Sequence, residues 1–135
     1  SARAAFPRMR KLGGGSFVAM SGTYAYMPEY GIAVQAAAKG AIMALTRAMA
    51  VEVGPDHIRV NCIAPGAIAT ERTAAEAGDY AATWARVTPL RRVGVPEDLT
   101  GPLLFLISDA AAFVTGQTIW VDGGVFSQAN WPYET

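Results

Sequence analysis

Residues 33–53, Ala-Val-Gln-Ala-Ala-Ala-Lys-Gly-Ala-Ile-Met-Ala-Leu-Thr-Arg-Ala-Met-Ala-Val-Glu-Val, run into Gly54-Pro55 and then into Ile58-Arg-Val-Asn-Cys-Ile63. Alanine, leucine and methionine are strong helix formers, and a Gly-Pro pair stops what they start. The segment that follows is short, apolar and rich in β-branched side chains, which predicts a buried strand over 58–63. Ala64-Pro65-Gly66 closes it, because proline has no amide to give a central ladder, so a loop is expected there. A helix feeding directly into a buried strand is one half of a β-α-β unit.

The rest of the chain extends that unit. Upstream, Gly13-Gly14-Gly15 breaks the chain ahead of Ser16–Met20, a candidate strand too short for a helix. Downstream, residues 67–95 are the least regular part, with a short helix expected around Ala74–Trp84, where a lid over a site would lie. Pro96-Glu97-Asp98 reads as a helix start running to about Ser108, since proline suits the first turn and acidic groups favour the positive end of the helix dipole. Gln117–Val121 is the last strand, and Asp122-Gly123-Gly124 turns the chain away. Three strands alternating with three or more helices predict an α/β fold with a doubly wound parallel sheet. Such a sheet needs helices on both faces, and these elements cover only half of one. Residues 1–135 are therefore expected to be the C-terminal half of a single larger domain.

Composition agrees with a folded, apolar object: 52% of the residues are hydrophobic and 16% charged, too apolar for a disordered linker. Eleven basic and eleven acidic residues cancel, which excludes a charge-driven binder of nucleic acid or of an anionic membrane. Cys62 is the single cysteine and cannot form an internal disulfide, so a cytoplasmic address is the expectation. Ser1–Lys11 is basic but lacks the apolar core of a secretory signal. Ile32–Val53 is interrupted by Gln35, Lys39, Thr46, Arg47 and Glu52, and so reads as a buried helix and not a membrane span.

In an open α/β sheet, ligands bind at the carboxyl ends of the strands, here Ser21-Gly22, Pro65-Gly66 and Asp122-Gly123. Lys39 stands at the start of the long helix as one of two lysines against nine arginines. It is either a snorkelling surface lysine or a cofactor-binding or catalytic one. Cys62 and His57 are five residues apart, and odd spacing on a strand sends side chains to opposite faces; they read as a buried small residue and a turn residue. Met20, Met27, Met43 and Met49 are core or pocket filler, and no metal-ligand spacing occurs.

The series Gly13-Gly14-Gly15-Ser16-Phe17-Val18, Ala38-Lys39-Gly40, Ile58-Arg59-Val60-Asn61-Cys62-Ile63-Ala64-Pro65-Gly66, Gly94-Val95-Pro96-Glu97-Asp98, Thr115-Gly116-Gln117 and Val121-Asp122-Gly123-Gly124 resembles the C-terminal half of a short-chain dehydrogenase/reductase. The resemblance implies a Rossmann-like fold and NAD or NADP as cofactor. The family's glycine-rich dinucleotide turn is not in the sequence. What remains is the nicotinamide end: the resemblance implies that Lys39 holds the ribose, that Pro65, Gly66, Ile68 and Thr70 lie along the cofactor, that the Ile68 backbone meets its carboxamide, and that the Thr70 hydroxyl reaches the amide or a phosphate.

The departures from the family pattern are as informative. Most members place a tyrosine four residues before the lysine, where this chain has Gln35, and a serine thirteen residues earlier still, where it has Gly22 with Ser21 one place off. The family's 2,4-dienoyl-CoA reductases instead carry the active tyrosine fifteen residues before the lysine, which is Tyr24 here. Ala50-Val51-Glu52, the Gly94 turn and the tail Asn130-Trp131-Pro132 are also similar to enoyl- and dienoyl-CoA reductases. The resemblance implies catalytic roles for Tyr24, Lys39, Ser21 and Gln35: the first as an acid helped by the lysine ammonium, the others as holders of cofactor or donors to a substrate oxygen.

The implied activity is NAD(P)H-dependent reduction of an enoyl- or dienoyl-thioester. Two alternatives stand beside it, a carbonyl or alcohol oxidoreductase with a non-standard site and a catalytically inactive binding or assembly subunit. Expected partners are a small-molecule substrate such as an acyl-CoA, the N-terminal half of the same domain, and a second copy in a homo-oligomer, a dimer or tetramer, packed on helix 33–53. That helix is apolar nearly all round, more than one sheet face can bury.

Overall fold

The structure, a computed structural model, describes residues 1–76 and 78–129. In chain order the elements are α1 (Ala2–Lys11), β1 (Gly15–Met20), α2 (Ala33–Val53), β2 (Ile58–Pro65), α3 (Glu71–Glu76), α4 (Tyr80–Val87), α5 (Thr100–Ile107) and β3 (Thr118–Val121), joined by short 3-10 turns. The three strands form one parallel sheet in the order β1-β2-β3. Gly15 pairs with Ile58 and Met20 with Ile63, while Cys62 pairs with Thr118 and Pro65 with Val121. Among the described residues, β1 and β3 each have one flank with no strand on it.

Strand parity decides what each face of the sheet meets. The even residues of β2, Ile58, Val60, Cys62 and Ala64, face α2, where Met43, Met49, Ala50 and Val53 are buried against them. Phe6 of α1 joins this face and meets Phe17 of β1 edge-on, ring centroids 5.5 Å apart. The odd residues face α5. Arg59 caps that helix by donating to the carbonyls of Leu106 and Ser108, and the Ser16 hydroxyl donates to the Leu106 carbonyl as well. Helices on both faces explain why β2 is buried along almost its whole length. Asn61, wholly buried, accepts from the Gln117 amide and donates to the Val114 carbonyl. It thereby fixes the segment that leads into β3.

Five details differ from the sequence reading. The basic N-terminal stretch forms α1, an amphipathic helix that buries Phe6. β2 continues through Pro65. The amides of Cys62 and Gly66 donate toward the β3 side, to the carbonyls of Gln117 and Val121, so the nitrogen of the intervening odd residue Pro65 points to the β1 side, past the last β1 pair at Met20–Ile63. No donor is needed there. The single helix expected at 74–84 is two, α3 and α4, the second capped by the Asp79 carboxylate accepting from the Ala82 amide. The helix expected from Pro96 opens as a 3-10 turn, Pro96–Leu99, before α5, and the last strand begins at Thr118. His57 sits in a left-handed turn at φ 58° and Cys62 is buried. The tail Asn130-Trp131-Pro132 lies outside the described residues.

Candidate active site

The carboxyl ends of β1 and β2 open into a cavity of about 490 Å³. Its walls bring together every residue singled out from the sequence: Ser21 and Tyr24 after β1, Gln35 and Lys39 on the first turns of α2, and Pro65, Gly66, Ile68 and Thr70 after β2. Ile32, Tyr80 and Trp84 line it as well.

Each wall is built by its own local rule. Ser21 is 3% exposed, and its hydroxyl donates to the Lys39 main-chain carbonyl at 2.8 Å, which stitches the end of β1 to α2. The chain then turns through Thr23–Ala25, a 3-10 turn that hands Tyr24 to the cavity. Tyr26, next but one, is turned the other way, packing edge-on against Trp120 and Phe126, and Tyr30 is fully exposed. Of the three clustered phenols, Tyr24 alone lines the cavity. Lys39 is half-buried there, and no described side chain forms an ion pair or hydrogen bond with its ammonium. Gln35 is exposed at the rim, with its amide group likewise unengaged.

The opposite wall is held by backbone pairing. Gly94 donates to the Ala67 carbonyl and accepts from the Ala69 amide, a parallel bridge across Ile68. Because Ala67 and Ala69 face Gly94, the amide and carbonyl of Ile68 between them face the other way. That amide bears on the Tyr80 phenol, and the carbonyl accepts from the Thr73 hydroxyl at 3.3 Å. Thr70 caps α3 by accepting from the Thr73 amide at 3.2 Å, and its hydroxyl lies 3.3 Å from the Thr73 hydroxyl, whose own hydrogen is directed at the Ile68 and Thr70 carbonyls. Gly66 has no room for a side chain: a Cβ would stand 2.7 Å from the Cα and Cβ of Asp122. The Gly94 turn is clamped by Arg92, which grips the Asp98 carboxylate with two nitrogens at 2.6 and 2.8 Å. Asp98 also accepts from the Val95 amide, and these contacts hold its carboxyl down to about 2.

Tyr80 and Trp84 carry no motif and were not singled out from the sequence. They stand one turn apart on α4 with ring centroids 6.3 Å apart, so one face of that helix is an aromatic cover for the cavity. Burial raises the Tyr80 phenol above its ordinary value, the nearby Tyr24 raises it further, and the Ile68 amide opposes both. The helical spacing of two aromatics just after Asp79 is the signal that would have found them. Cys62, by contrast, is a buried thiol raised by desolvation and is inert as a nucleophile. Among the described residues no cluster of His, Cys, Asp or Glu is placed to hold a metal ion, and no helix is long and apolar enough to cross a membrane. A second cavity, about 540 Å³ beside Thr88 and Gly123, offers only paired charges. Arg92 holds Asp98, and Asp122 accepts from the amides of Gly124 and Phe126.

Residues 1–126 match the family model described as "Enoyl-(Acyl carrier protein) reductase". The "Dehydrogenase/reductase SDR family member 4" of Homo sapiens is 38% identical over 128 residues, 93% of this chain and 46% of that protein. The "3-oxoacyl-[acyl-carrier-protein] reductase FabG" of Chlamydia pneumoniae is 40% identical over 117 residues, 87% of this chain and 47% of that protein. The gluconate 5-dehydrogenase of Burkholderia cenocepacia J2315, solved in complex with NADP and tartrate, superposes with a TM-score of 0.88 at 33% identity, over 95% of this chain and 51% of that one. The chain spans about half the length of the relatives it matches.

Proposed function

Since the chain belongs to the short-chain dehydrogenase/reductase family, we propose that it is the nicotinamide-facing half of an NAD(P)-dependent oxidoreductase whose favoured substrate is an enoyl- or dienoyl-thioester. The reading is carried by one observation: the Tyr24 phenol and the unpaired Lys39 ammonium line the same cavity, while Gln35 stands one turn before the lysine. The donor set fits a nicotinamide nucleoside. Thr70 offers a hydroxyl oxygen and Lys39 a cation beside the Ile68 main chain, groups that suit a carboxamide and ribose hydroxyls. The Burkholderia enzyme of the same fold is complexed with NADP, which supports that cofactor class.

When bound, a reduced nicotinamide supplies a hydride to the electron-poor carbon of the conjugated substrate. Lys39 and the Ile68–Thr70 segment orient the cofactor. Tyr24 donates toward the thioester oxygen, where negative charge gathers, and supplies the proton that completes the reduction, to be restored from solvent. Tyr80 and Trp84 narrow the cavity and exclude water, which strengthens every hydrogen bond inside. Gln35, an amide that can donate or accept, contacts the substrate or a water at the rim.

A thioester is preferred to a ketone because Tyr24 stands fifteen residues before Lys39, the spacing that resembles the family's dienoyl-CoA reductases, while position 35 carries an amide in place of the usual phenol. The ketoacyl reductase among the relatives favours the second reading, a carbonyl oxidoreductase using Tyr24. Val34, Leu45 and Val51 leave an apolar outer face on α2, which supports pairing with a second copy through that helix. The bare flank of β1 and the half-length match support a further strand-bearing half of the same domain. The deciding experiment follows NADH and NADPH oxidation by the full-length protein with a ketone, an enoyl-CoA and a dienoyl-CoA in parallel. Turnover with the thioesters is expected. Turnover with the ketone alone rejects the thioester reading, and failure to bind either nucleotide leaves the non-catalytic assembly role.

A further inference from the structure

Reduction of a conjugated thioester places charge on one oxygen, and a single phenol is a thin provision for it. The other donors singled out from the sequence around the β1 end are committed or peripheral. The Ser21 hydroxyl has one hydrogen, and it goes to the Lys39 carbonyl. Gln35 is exposed at the rim. Gly22 has no side chain to offer. Across the cavity from the β1 loop, α4 carries a second phenol, Tyr80, half-buried and near enough to Tyr24 for the two to interact electrostatically. Its ring is steadied by Trp84 one turn on, and α4 is fixed at its start by the Asp79 cap.

We propose that Tyr80 is a substrate-binding residue that donates a hydrogen bond to the same substrate oxygen as Tyr24, from the opposite wall. The two phenols have different work. Tyr24 lines the cavity together with Lys39 and is the proposed proton donor. Tyr80 is pushed toward the neutral form by burial and by Tyr24 itself, so it stays a donor and holds the oxygen without titrating. Two donors converging on one atom are worth more in a site that excludes water than at a surface. The inference rests on the oxidoreductase reading above, because it needs an acceptor oxygen in this cavity.

The test uses the full-length protein with NADPH and NADH, a short trans-2-enoyl-CoA as acceptor, and the matching saturated acyl-CoA with oxidised cofactor as a non-turning complex. Tyr80→Phe keeps the ring and loses only the hydroxyl. The acceptor KM, and the Kd of the saturated thioester measured calorimetrically, are expected to rise about tenfold, the worth of one hydrogen bond. The Kd of the cofactor alone should be unchanged. A Tyr24→Phe/Tyr80→Phe double variant should lose less in acyl-CoA affinity than the product of the single losses, since both act on one atom. Equal acceptor KM and Kd in the parent and Tyr80→Phe proteins overturn the inference while the reading above stands. A parent protein that oxidises neither NADH nor NADPH when the enoyl-CoA is supplied, and binds neither nucleotide, overturns both.

Discussion

The Ser21 hydroxyl donates to the Lys39 main-chain carbonyl at 2.8 Å, and that bond makes Ser21 a positioning residue for the lysine. Loss of one such bond in a buried place costs about 0.5–1.5 kcal/mol. Ser21→Ala is expected to lower the thermal midpoint by a few degrees and to weaken cofactor binding severalfold as α2 relaxes. Differential scanning calorimetry and nucleotide titration check it. A fall in turnover of a hundredfold or more at unchanged stability would show that the hydroxyl works on the substrate instead.

Tyr24 and Lys39 should separate by phenotype. Tyr24→Phe removes the acid and is expected to reduce turnover about 10²–10⁴-fold while nucleotide affinity stays within twofold of the parent. Lys39→Met leaves the phenol in place and removes the cation; nucleotide affinity and turnover should both fall. Stopped-flow hydride transfer together with equilibrium nucleotide binding distinguishes the two patterns.

Gly66 is the point where β2 passes the turn after β3. Because an added Cβ would fall 2.7 Å from Asp122 backbone and side-chain carbons, Gly66→Ala must push two strand ends apart. Overpacking of that kind costs about 1–3 kcal/mol. The expected signs are a lower denaturation midpoint and weaker nucleotide binding, because Ile68 and Thr70 follow directly. An unchanged midpoint would contradict the packing described.

The Arg92–Asp98 clamp gives a pH prediction. The Asp98 carboxyl is held down to about 2 from an ordinary 3.8, chiefly by the Arg92 hydrogen bonds. Its contribution to holding the Gly94 turn is therefore complete above the ordinary value and is lost only as pH falls through about 2. Carbon-13 titration of the carboxyl should show it ionised well below pH 3.8. In Arg92→Ala the midpoint should rise toward 3.8, and the turn should loosen at correspondingly higher pH.

The sheet and α2 are legible in the sequence because their signals are local: period, β-branched runs and Gly-Pro stops. The extension of β2 to Pro65 was not, since whether a missing amide matters depends on where the neighbouring strand ends, a tertiary fact. The division of 74–84 turns on an Asp79 cap that single-residue propensity underweights. Of the candidates gathered in the cavity, Ser21, Tyr24 and Gln35 were singled out through spacing relative to Lys39, and Pro65, Gly66, Ile68 and Thr70 through the resemblance of the segment after the proline-glycine turn. Tyr80 and Trp84 escaped because a covering helix has no fixed offset from the lysine and is brought over it only by the folded chain.

The parallel sheet also dictates an order of events in folding. β2 meets β1 across the whole of α2, and meets β3 only after α3, α4 and α5 have been traversed. Neither pairing can be seeded by a tight hairpin, and closing such long loops precedes any reward from the ladder. The nascent polypeptide should therefore dwell with its helices formed and its central strand unmatched. Because the candidate crevice is made from strand ends, ligand recognition can only be among the last properties the molecule acquires.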